Sequence, residues 1–168
     1  MKIIISLLLA IFLLVLAGNT VFAQKTITII LIRHAEKDTS DPKNPDPELS
    51  PEGRLRAQNL LKAVKKYDPE MIYSTDFIRT KATVRPLAEK DSLQIHLYDP
   101  KKLDEFVNTL LALKAKSIIV VGHNTTTPAL ANLLIKEKKY DALPETVYNK
   151  MWIIKIKGDK IQEQVVEY

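Results

Sequence analysis

Two apolar runs in this chain each end in a histidine. Thr26 to Ile32 is β-branched or leucine without a charge, and Arg33-His34-Ala35-Glu36-Lys37 follows at once. Ser117 to Val121 is equally apolar, and Gly122-His123-Asn124 follows it. Runs of this length and composition read as strands buried on both faces of a parallel sheet. In open α/β sheets ligands bind beyond the carboxyl ends of such strands. Arg79 falls in the first turn of a predicted helix after the short strand Met71-Ile72-Tyr73, so Arg33, His34, Arg79 and His123 can all face one crevice.

The chemistry open to that set is phosphoryl transfer. Two guanidinium forks match the oxygens of a phosphoryl group and stay charged at any ordinary pH. An imidazole with one bare nitrogen attacks phosphorus and forms a phosphohistidine, which water then hydrolyses. Its other nitrogen must be held by a hydrogen bond, often to a backbone carbonyl, so that the tautomer is fixed. Catalysis then comes mainly from position and from positive charge around the equatorial oxygens. No metal and no cofactor are called for, because the arginines and second histidine take that role.

Composition narrows the alternatives. A chain of 168 residues suits one domain with a real core. The absence of cysteine removes disulfides, thiol nucleophiles and a lipid anchor through an N-terminal cysteine. Three scattered histidines without cysteine cannot assemble the usual zinc patterns. The formal charge of +5 is spread along the chain, which suits a small anionic substrate and argues against a nucleic-acid binder. The sequence carries no sign of oligomeric state.

Residues 1–23 stand apart. Lys2 is followed by an unbroken apolar run from Ile3 to Ala17, a break at Gly18-Asn19-Thr20, and Val21-Phe22-Ala23 with small side chains at the peptidase positions. This reads as a secretory signal cleaved after Ala23. The alternative is an uncleaved N-terminal membrane anchor, since the run is nearly long enough to span a bilayer. Cleavage leaves a mature domain of residues 24–168, periplasmic or secreted, with no lasting membrane association. Without Lys2 its formal charge falls by one to +4.

The elements that must position the candidate residues follow in order. Asp38 to Pro47, with three prolines, reads as an exposed loop at the rim of the crevice. Ser50-Pro51-Glu52 starts a helix that runs to about Lys66 and is expected to bury Leu55, Leu60, Leu61 and Val64. Met71-Ile72-Tyr73 is a strand, and a helix follows from about Phe77 to Lys90, with Pro86 expected to kink or tighten it. Leu93 to Leu97 is a third strand. Asp99-Pro100 repeats the cap-and-proline signature before a helix with Leu103, Phe106, Val107 and Leu110 on its apolar face. After the strand Ser117 to Val121, Thr127-Pro128 opens a helix that buries Leu130, Leu134 and Leu133. The tail alternates around Trp152, Ile154 and Ile156, turns at Gly158-Asp159 and returns through Ile161 to Val166 as a hairpin. The fold class is therefore α/β, a three-layer αβα sandwich with a mostly parallel sheet and antiparallel C-terminal strands.

The segments IRHAEK, YSTDFIRTKAT and VVGHNTTTP, in that order, resemble the three signatures of the histidine phosphatase superfamily, also called phosphoglycerate mutase-like. LSPEGRLRAQ resembles its first helix. The resemblance implies that His34 accepts the phosphoryl group and that Arg33, Arg79 and His123 complete the phosphate pocket. Three departures stand out. Ala35 replaces the usual glycine after the nucleophile, Thr75-Asp76 replaces the usual Ser-Pro, and Asn124 after His123 removes the His-Asp pair of the acid phosphatase and phytase branch. With no room for a cap, the chain resembles the small branch that includes short phosphohistidine phosphatases.

A leaving alkoxide needs a proton. Asp99, after the third strand, is the expected acid, and Glu36 is the alternative; each also has a plain reading, Asp99 as an N-cap and Glu36 as a partner of Lys37 or an arginine. Asn124 either donates to the phosphate or, with Thr125 and Thr126, caps the next helix. The expected activity is a phosphomonoesterase acting on a phosphate ester or phosphohistidine. The competing expectation is a domain of the same fold that binds phosphate without turnover.

Overall fold

The computed structural model describes residues 25–168. The run read as a secretory signal or anchor, and the start at Gln24, lie outside those residues. Among the described residues no helix is long and apolar enough to cross a membrane.

Six strands form one sheet in the order β3-β2-β4-β1-β5-β6. They are β1 (Thr26–Arg33), β2 (Met71–Ser74), β3 (Ile95–Leu97), β4 (Ser117–Gly122), β5 (Lys150–Lys157) and β6 (Lys160–Glu167). β1 to β4 run parallel, while β5 lies antiparallel to β1 and β6 antiparallel to β5. Gly158, with φ 55°, supplies the left-handed residue that the hairpin turn requires.

Side chains along the central strands alternate between the two faces of the sheet. Ile29, Leu31, Ile118 and Val120 pack on one face with α3 (Leu103–Ala112) and α4 (Thr126–Ile135). Ile30, Ile32, Ile119 and Val121 pack on the other with α1 (Pro51–Val64) and α2 (Ile78–Asp91). Helices on both sides of a mixed sheet make the expected three layers. Because β1 and β4 are covered on both faces, the two apolar runs carry no charge until their ends.

Local signals set most of the boundaries. The Ser50 hydroxyl accepts from Gly53 N at 3.1 Å, which caps α1, and Pro51 takes the first helical position. A short 3-10 turn, Lys65–Tyr67, extends the helix beyond Val64. Leu55 departs from expectation: it is 64% exposed, because Gly53, Ala57, Leu60 and Val64 define the buried stripe and Leu55 lies off it. α2 continues through Pro86 to Asp91. Asp99-Pro100 does not open α3 directly. Instead Asp99 Oδ1 accepts from Lys101 N at 2.9 Å in a separate turn, and the helix begins at Leu103.

Candidate phosphoryl-transfer site

The ends of β1 and β4 lie side by side. Arg33 pairs in register with Gly122, and His34 N donates to Gly122 O at 2.9 Å, so the two histidines that follow the strands are neighbours. Their ring centroids are 5.5 Å apart in an edge-to-face arrangement. This is the point where the chain, having moved outward from β1 to β2 and β3, returns to insert β4 beside β1. Such reversals open a crevice between strand ends. A Cβ on Gly122 would meet the Tyr98 hydroxyl at 2.8 Å and the Thr126 and Thr127 hydroxyls at 2.9 Å, so only glycine lets this turn pack so closely.

His34 is 3% exposed, and its Nδ1 lies 2.8 Å from the carbonyl oxygen of Ala35. A carbonyl can only accept, so Nδ1 carries the proton and Nε2 the lone pair. Nε2 has no hydrogen-bond partner among the described residues, and it is not one of the buried unpartnered atoms. Burial lowers the His34 pKa to about 3; the Ala35 carbonyl opposes this, and Arg33, Arg79 and His123 reinforce it. The ring is neutral at ordinary pH, with a bare nitrogen open to the crevice.

Ala35 is wholly buried against Leu49 and Ala57, so its methyl has a fitted place where the signature it resembles carries glycine. Ala35 N donates to the Thr83 hydroxyl at 2.9 Å, and Thr83 in turn donates to Arg79 O, which ties the loop after His34 to α2.

The two arginines differ in how far they are committed. Arg33 is 1% exposed, and its Nη1 donates to the carbonyls of Pro144, Glu145 and Val147 at 2.9 to 3.0 Å. Nη2 donates to Glu145 Oε2 at 2.9 Å, and the guanidinium lies over the Tyr148 ring at 4.0 Å. Arg79 Nη1 donates to Asp46 Oδ1 at 3.0 Å. Asp46 also accepts from Ile78 N at 3.0 Å, placing an anion at the start of α2 and offsetting the cost of a cation in that turn. In both arginines Nε is buried without a partner. An oxyanion would satisfy such donors.

His123 is half-buried, with Nε2 3.0 Å from the Thr75 hydroxyl and its ring against the edge of Phe77. Burial lowers its pKa to about 4, Arg79 and Arg33 add to the shift, and Asp46 opposes it. Asn124 is turned to the segment after α4, donating to Glu145 Oε1 at 2.9 Å, while its own carbonyl accepts from Leu143 N.

Neither expected acid is placed to donate a proton. Glu36 is gripped by Arg56, whose Nε reaches both carboxylate oxygens at 2.9 Å and whose Nη2 reaches Oε1 at 2.7 Å. Burial pushes the Glu36 pKa up, but the Arg56 hydrogen bonds and charge outweigh it and hold the group ionised. Asp99 is exposed and occupied by its own turn, beyond an edge strand about 14 Å from β1 at three strand spacings.

Several residues at the site were not singled out by the sequence. Asp46, Thr75, Thr80, Glu145 and Tyr148 all touch the pocket residues or their partners. Thr75 had a signal, since it stands in the second signature where the family differs. Glu145 and Tyr148 had none, because they belong to a loop without a motif.

Comparison with known proteins bears on the fold. The model of the histidine phosphatase superfamily (branch 1) matches residues 29–101. No curated protein matches the chain. Among solved structures, a candidate SixA phosphohistidine phosphatase from Agrobacterium tumefaciens aligns over 84% of this chain and 98% of its own, with a TM-score of 0.63 and 19% identity. A mycobacterial glucosyl-3-phosphoglycerate phosphatase, solved with VO3, covers the same shares at TM-score 0.66 and 17% identity. A phosphoserine phosphatase variant from Entamoeba histolytica, bound to phosphoserine, covers 82% and 95% at TM-score 0.63 and 16% identity. The chain has the α/β fold of these phosphatases.

Proposed function

We propose that the chain is a histidine phosphatase, a phosphomonoesterase that works through a phosphohistidine on His34. The observation that carries this reading is the convergence on one crevice of a neutral imidazole with Nε2 bare, a second imidazole at 5.5 Å, and two arginines each with an unpaired Nε. The superfamily match over residues 29–101 supports it, as do the phosphatase neighbours.

In this mechanism the Nε2 lone pair of His34 attacks phosphorus in line with the ester oxygen, and the P–O bond breaks with its electron pair on the leaving group. The ring becomes a phosphoimidazolium whose remaining proton stays on Nδ1, bound to the Ala35 carbonyl. That bond stabilises the positive charge as it develops. Arg33 and Arg79 neutralise the equatorial oxygens. Water then attacks phosphorus from the side the alcohol left, and the electron pair returns to Nε2. The charge comes from arginines, so the mechanism proceeds without a metal.

The substrate class is a small phosphate monoester or phosphohistidine. If the apolar run at residues 1–23 directs export, the enzyme works in the periplasm or outside the cell.

A second reading has one observation in its favour. Both Nη groups of Arg33 are already bonded to residues 144–147, as in a domain that binds phosphate without turnover or one whose loop must move. The test is phosphate release from an aryl phosphate with a chelator present. Turnover that disappears in His34→Ala supports the enzyme. Phosphate binding without turnover on a broad panel supports the binder.

A further inference from the structure

We infer that His123 protonates the leaving oxygen, and that the buried hydroxyl pair Thr75 and Thr80 equips it to do so by holding its neutral-state proton on Nε2. The inference rests on the phosphoryl-transfer reading above.

The argument is a count of protons. Thr80 Oγ1 lies 2.9 Å from Thr75 O and 3.0 Å from Phe77 O. Carbonyl oxygens only accept, so the single Thr80 hydroxyl proton goes to them. Thr75 Oγ1 lies 3.1 Å from Thr80 Oγ1, and both residues are fully buried. Without a proton between them the two hydroxyl oxygens would oppose lone pair to lone pair at 3.1 Å, away from water. The Thr75 proton therefore points to Thr80. Its oxygen is left to accept, and the donor is His123 Nε2 at 3.0 Å. The relay runs in one direction, from His123 through Thr75 and Thr80 to the backbone.

The consequence falls on Nδ1. In neutral His123 that nitrogen carries a lone pair, it has no partner among the described residues, and it is not one of the buried unpartnered atoms. A lone pair repels a phosphate dianion and welcomes one that brings a proton. The groups facing the ring are Arg79 from α2, Arg33 and His34 from the end of β1, Asp46 from the rim loop and the edge of Phe77. Asp46 is paired with Arg79, and Glu145, which reaches the site through Arg33 and Asn124, is paired with both. Among the described residues Glu36 and Asp99 are engaged elsewhere, and burial keeps the phenol of Tyr148, whose ring lies 5.9 Å from His34, protonated, which leaves His123 as the imidazole beside His34 that can take up and release a proton.

The step balances. The proton enters with the ester, shared between Nδ1 of His123 and a phosphoryl oxygen. As Nε2 of His34 bonds to phosphorus and the P–O bond breaks, that proton moves to the departing oxygen and the alcohol leaves neutral. The attacking water returns a proton to Nδ1, and its oxygen remains on phosphate.

Two measurements on the full chain test this. Long-range 1H–15N spectra of the unliganded protein should show His123 as the Nε2–H tautomer. Titration with inorganic phosphate at about pH 8, in buffers of different ionisation heat, should show uptake of about one proton. In Thr75→Val and Thr80→Val the ring is free to place its proton on Nδ1 and donate to the dianion, so uptake should fall toward zero. Turnover of an alkyl phosphate should then drop at least tenfold more than that of an aryl phosphate, whose leaving group needs no proton. Thr75→Ser should restore both. An Nδ1–H tautomer in the unaltered protein, or an unchanged alkyl-to-aryl ratio in folded valine variants, overturns the inference. No turnover of any ester by the unaltered protein would instead overturn the phosphatase reading itself.

Discussion

The carboxylate of Glu145 meets Nη2 of Arg33 at 2.9 Å. Its other oxygen accepts from Asn124. A fixed anion thus already lies against two residues read as phosphate ligands, and it competes with any phosphate for Arg33. Glu145 is 67% exposed, so water screens the pair strongly and its contribution to stability is small. Glu145→Gln keeps the backbone carbonyls that hold Arg33 and removes only the charge. The dissociation constant of inorganic phosphate, measured by calorimetry, should fall about three- to tenfold. Unchanged or weaker binding would mean that Glu145 does not compete.

Glu36 is predicted to be structural. Its bidentate pairing with Arg56 joins the loop after His34 to α1, and Arg56 Nη1 continues to the backbone oxygen of Tyr168 at 2.8 Å. Glu36→Gln should leave kcat within about twofold for alkyl and aryl phosphates alike. Loss of a charge-assisted pair that is three-quarters buried should lower unfolding stability by about 1 to 2 kcal/mol in urea titrations. A large loss of alkyl phosphate turnover alone would reinstate Glu36 as the acid.

The two histidines set a pH dependence of stability. Their pKa values are lowered to about 3 for His34 and about 4 for His123, from 6.5 unfolded. Between those limits the unfolded chain binds more protons, so stability is full above about pH 6.5 and declines as pH falls toward 3. His34, the more deeply buried, accounts for roughly 4 to 5 kcal/mol of that decline. Melting curves from pH 7 to 4 should be flatter for His34→Asn than for the unaltered protein. Equal slopes would mean that the imidazole is not held neutral.

Much of this architecture was readable from the sequence, for identifiable reasons. Strands covered on both faces leave uninterrupted apolar runs, so β1 and β4 and the polar residues beyond their ends stood out. The hairpin declared itself through alternation around Trp152 and through Gly158. Leu55 misled because one leucine fits several helical stripes, and Gly53, Ala57, Leu60 and Val64 decided which was buried. Asp99-Pro100 misled because Asp before Pro caps a turn as readily as a helix. Partners distant in sequence left no trace. Arg56 lies 20 residues from Glu36, Asp46 33 from Arg79, and Glu145 112 from Arg33. Only the folded chain shows which carboxylates are already engaged.

The assignment of His34 as nucleophile is tested most directly by trapping its product. The protein is mixed with an aryl phosphate, quenched in base within one turnover, digested and examined by mass spectrometry. The account predicts one phosphoryl group on the peptide containing His34, stable in base, lost in acid and absent from His34→Ala. A phosphoryl group on another residue, or undiminished turnover by His34→Ala, would contradict it.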